Sequence, residues 1–76
     1  MEHLFSTRLT FHHESAVYRV DFNQDKYIFT PEVEGPAFPT FSFIREHDEW
    51  HEQAPVPHEI KKHALDALER YLLKQH

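Results

Sequence analysis

The segment Glu46-His-Asp-Glu-Trp-His-Glu52 places two histidines, His47 and His51, four positions apart among four carboxylates. Imidazole and carboxylate together suit Zn, Ni or Cu, so His47, His51 and a neighbouring acid form a candidate metal site. A structural zinc site normally takes four ligands, and no further spaced set of donors follows in the chain. The metalloprotease signature H-E-x-x-H sets its glutamate directly after the first histidine, on a helix. Asp48 occupies that position here, and the local pattern reads strand, turn, strand. The simpler reading is a solvated acidic hairpin whose return strand is anchored by Trp50.

Other reactive side chains lack a setting. Ser6, Ser15 and Ser42 stand outside any G-x-S-x-G context. One glycine in the whole chain leaves no phosphate-cradling loop or dinucleotide fingerprint. His12 and His13 point to opposite sides if they continue a strand and are exposed if they form a turn; His3, His63 and His76 are expected in solvent. The chain is accordingly expected to be no enzyme and to carry no cofactor.

Composition narrows the class further. The 76 residues make one domain, 1–76, without cysteine, so disulfides, thiolate metal sites and a cysteine nucleophile are ruled out together. A domain this small buries only about 60% of its unfolded surface, and its margin must come from dense packing, a metal or a partner subunit. Seven Phe, three Tyr and one Trp favour packing. The net charge is −5, with seven acids between Glu32 and Glu59 against Arg45 as the strong base there, so nucleic acid is not an expected partner. Eight histidines would bring that charge through zero on mild acidification, where solubility should be poorest. No apolar run approaches the ~18 residues of a membrane helix and no signal pattern opens the chain, so a cytoplasmic protein without a membrane partner is expected.

The elements that must position these groups follow from hydrophobic period. Residues 5–12 alternate, with Phe5, Leu9 and Phe11 on one face. Residues 16–22 alternate with Tyr18, Val20 and Phe22 inward and Val17, Arg19 and Asp21 outward. Tyr27 and Phe29 continue the inner face over 26–30, and Phe41 and Phe43 over 40–46. Short polar links join the first three strands, which makes an antiparallel meander the simplest topology. Pro31 closes the third strand, and residues 31–39, with three prolines and the glycine, read as a surface loop. From Pro57 onward the period becomes helical: Ile60, Ala64, Ala67, Leu68 and Tyr71 form a stripe, widened by Leu65 and Leu72, with Leu73 off it. The expected fold is α+β, a four- to five-stranded antiparallel β-meander with one C-terminal helix packed on one sheet face.

That arrangement leaves the other face uncovered. Val17, Ile28 and Ile44 lie on it beside Arg8, Arg19 and Asp21, and they are the candidate interaction residues for a protein partner or a second copy, giving a homodimer. The strand Phe-Ser-Phe-Ile-Arg-Glu, the acidic turn, Trp50, and the Pro-x-Pro-x-Glu-Ile opening of an Ala-Leu-x-Ala-Leu-x-x-Tyr-Leu helix resemble short bacterial proteins of unassigned function. The resemblance covers roughly residues 40–74 and implies a β-meander with a C-terminal helix, but no site residues. The function expected is therefore that of an interaction or self-association module, with metal binding at His47 and His51 as the alternative.

Overall fold

A computed structural model describes residues 2–32 and 38–74. The glycine–proline part of the loop expected after Pro31, together with Glu34 and His76, lies outside the described residues. Among the described residues the fold is α+β: five strands, β1 (Glu2–Phe11), β2 (Glu14–Asn23), β3 (Lys26–Pro31), β4 (Phe41–Glu46) and β5 (Glu49–Glu52), then one helix, α1 (His58–Lys74). The strands pair antiparallel in chain order, β1-β2-β3-β4-β5, an open meander with β1 and β5 at its edges.

Three two-residue links build the meander: His12–His13, Gln24–Asp25 and His47–Asp48. All six residues have positive φ, between 50° and 66°. Two consecutive left-handed residues characterise the type I′ hairpin turn, whose twist matches that of the flanking strands. None of the six is glycine or asparagine, so each turn is held against the steric preference of its residues. What holds it is the register of apolar side chains on one face. Phe5 pairs with Val20 and Phe29 with Phe41. Tyr27 pairs with Phe43. A one-residue slip would turn every one of these to water.

Tyr18, Val20, Phe29 and Phe43 are fully buried on that face, and Ile60, Ala64 and Leu68 of α1 close over them. Phe29 stacks on Phe41 at 4.9 Å and meets Phe43 edge-on at 5.8 Å. Ala64 lets the helix backbone approach this aromatic layer, while Leu73 points away and is 72% exposed, as the stripe requires. Pro57, without an N–H of its own, accepts from the Lys61 amide at 2.9 Å and starts the helix. The helix reaches both edges of the sheet. Tyr71 stacks on Phe5 of β1 at 4.8 Å, and Glu69 bonds to side chains of β4 and β5. Among the described residues no helix is long and apolar enough to cross a membrane.

One anchor fixes the crossing between β3 and β4. The buried Tyr18 hydroxyl donates to the Pro39 carbonyl at 2.8 Å, and burial raises its pKa to about 12. The phenol therefore stays a donor across the whole physiological range.

Candidate functional site

The acidic hairpin resolves into a turn and two ties. His47 and Asp48 form the turn itself, so the His47 side chain stands at the tip, while His51 sits on β5 opposite Ile44. His51 Nε2 comes within 4.0 Å of Glu49 Oε2. Among the described residues no group of three or more His, Asp or Glu is close enough to hold a metal. Trp50 and Arg45 pair across the hairpin on the helix face, with the guanidinium 5.0 Å from the ring centroid. Both donate to Glu69 Oε1, the indole at 2.8 Å and the guanidinium at 3.2 Å. Those two bonds, the indole first, hold the Glu69 carboxyl below the usual carboxylate range. Glu52 adds a second strap, accepting from the Val56 amide at 3.2 Å and from Lys61 at 3.4 Å. The polar groups of this hairpin thus fasten β5 to α1, as the Trp50 anchor implies.

The sheet face opposite the helix is the second candidate. Ile28 lies opposite Ser42 on β4, which makes Ile44 its diagonal neighbour, about 7–8 Å away. Val17 stands apart from them. Ile28 pairs with Asp21, and Val17 is four residues from Asp21 along β2, roughly 13 Å. The three aliphatics are therefore an Ile28–Ile44 pair and an outlying Val17, not one continuous patch. All three are half-buried by their neighbours.

Between them lies a polar cluster that alternation alone did not reveal. Asp21, expected outward in solvent, is 4% exposed. His3, its cross-strand partner, approaches it with Nδ1 at 3.2 Å, and Arg19 donates from Nε at 3.0 Å. His3 belongs to this cluster although its position near the chain start suggested solvent. The missed signal is that β1 reaches back to Glu2. A register shift between His3 and Phe5 breaks the alternation there and hides the strand's first residues from a period-two pattern.

Comparison of the chain with protein-family models, with characterised proteins and with solved structures returned no match, so the assignment of function rests on the geometry.

Proposed function

We propose that this domain is a non-enzymatic interaction module that self-associates through the sheet face opposite the helix. The observation that carries the reading is the one-sided architecture: α1 covers one face of the sheet, and among the described residues no element covers the other. The Ile28–Ile44 pair supplies its apolar centre. Arg19, exposed above the buried Asp21 that it bonds, borders this centre with a charge that a partner's acid could meet.

Area sets the expected strength. Five strands at about 4.8 Å spacing and about six residues of length give a face near 20 by 20 Å. Roughly 400 Å² per partner is about half the standard interface, so the dimer is weak and forms in the micromolar range. Sedimentation velocity from about 5 to 500 μM tests the reading. A concentration-dependent shift toward twice the monomer mass, abolished by Ile28→Lys and reduced by Val17→Lys, is expected. A strict monomer over that range refutes it.

A further inference from the structure

The two free edges of the sheet differ. β5 is four residues long and carries Glu49 and Glu52. β1 is ten residues long, and its Ser6–Phe11 portion holds no proline and no lysine. Natural sheets protect an exposed edge with such residues or cover it, because the unpaired amides and carbonyls recruit another strand. Beyond the register shift at His3, β1 has Arg8 as its one charged residue. Because Phe11 and Glu14 flank a two-residue turn as a hydrogen-bonded pair, alternation aims the amides and carbonyls of Ser6, Arg8 and Thr10 off the sheet. The Val17 carbonyl, bonded to the Glu32 amide on the far side of β2, obeys the same alternation. Among the described residues no backbone group bonds this edge.

Beside the edge lies a cleft of about 410 Å³ between β1 and α1. Its helix wall presents His63, Asp66, Arg70 and Lys74, and its strand wall is the stretch Phe5–Arg8. On the helix side the cleft carries Arg70 and Lys74 against Asp66, which pairs with Arg70 at 3.1 Å, while Arg8 turns to the opposite sheet face and donates to the Ser15 hydroxyl at 3.4 Å. In a chain of net charge −5 this leaves the groove with one cation in excess, Lys74, beside the Arg70–Asp66 pair. Spacing matches as well as sign. Arg70 and Lys74 are one helical turn apart, about 6 Å, and alternate side chains of an extended strand are about 6.8 Å apart.

We infer that the β1 edge and the α1 groove together bind an extended acidic peptide, which adds to β1 as a sixth antiparallel strand. Main-chain bonds to Ser6, Arg8 and Thr10 provide the docking, and carboxylates at alternate positions face Arg70 and Lys74. This is strand addition with a charged selectivity wall, separate in place and partner from the face proposed for self-association.

An eight-residue peptide alternating Glu with Thr, capped at both ends, is the probe, and titration into the isotopically labelled domain is the measurement. Saturable binding is expected. It should weaken several-fold as salt rises from about 50 to 300 mM. The amides of Ser6, Arg8 and Thr10 should exchange at least tenfold more slowly in the complex. Arg70→Glu combined with Lys74→Glu, both exposed helix positions, should lower affinity by about tenfold or more while leaving the circular dichroism unchanged. Methylating alternate peptide nitrogens removes the donors toward β1 without altering the protein, and it should abolish binding. No saturable binding, equal binding of the methylated or of a Lys–Thr peptide, or unprotected β1 amides would each overturn the inference. So would a peptide-free dimer that already protects those amides and is broken by the Arg70/Lys74 reversal, because the occupant would then be a second copy. Ile28→Lys must leave peptide affinity unchanged, which separates failure here from failure of face-to-face association.

Discussion

The hairpin turns give the sharpest test of this architecture. Gln24 and Asp25 have φ of 50° and 65°, both in the left-handed region. For a residue with a Cβ that conformation is disfavoured by about 1–2 kcal/mol, while glycine reaches it freely. Glycine loses more chain entropy on folding, about 0.5–1 kcal/mol, and aspartate tolerates the region better than most residues. Asp25→Gly should therefore stabilise the domain by roughly 0.5–1 kcal/mol, and Gln24→Asn should add a few tenths. A gain of about 1 kcal/mol raises Tm by roughly 4–8 °C in a domain of this size. Thermal unfolding by circular dichroism reads it directly. Asp25→Val is the opposite control: a β-branched side chain at φ 65° should lower Tm by a similar or larger amount. If Gln24→Asn/Asp25→Gly leaves Tm unchanged or lowers it, the link is not a type I′ turn. The register running from it through β2 and β3 would then be misassigned.

Other outcomes follow from side-chain environment. Leu68→Ala, at a fully buried position, should cost about 2–4 kcal/mol in denaturant unfolding, whereas Leu73→Ala, 72% exposed, should cost under about 0.5 kcal/mol; equal losses would misplace the helix face. Tyr18→Phe removes the bond to the Pro39 carbonyl and should cost about 1–2 kcal/mol by the same assay. Glu69, whose carboxyl is lowered from its ordinary 4.5, stabilises the fold fully above that value. This contribution fades as pH falls toward the lower folded value, because the unfolded chain takes up the proton first. An NMR titration should place the Glu69 midpoint below 4.5, and Trp50→Phe should move it back up. Calorimetric titration with zinc or nickel should give at most weak, millimolar-range binding, with His47→Ala/His51→Ala changing it little, since two donors do not make a site.

Much of this arrangement is legible in the residues. Period-two alternation places β2, β3 and β4 within a residue or two, because their inner faces carry Tyr18, Val20, Phe29, Phe41 and Phe43 without interruption. The helix and its exposed Leu73 follow from the period of 3.6. Where alternation fails, so does the reading. The register shift between His3 and Phe5 conceals the first three residues of β1. The four residues of β5 are too few to show a period, although Trp50 marks its return. The turns carry no Asn-Gly signal, so their type is invisible without coordinates. The Asp21 cluster and the separation of Val17 from Ile28 depend on cross-strand register, which no single strand encodes.

The order of elements along the chain has a consequence for biogenesis. All five strands precede α1, so a nascent meander emerges with Phe29, Phe41 and Phe43 bare until the helix is made. At about 5–20 residues per second, the 17 helical residues take on the order of one to three seconds to synthesise. During that interval the greasy side of the sheet is open to neighbouring chains. A message truncated before His58 would leave it so permanently, and its product should be insoluble or degraded.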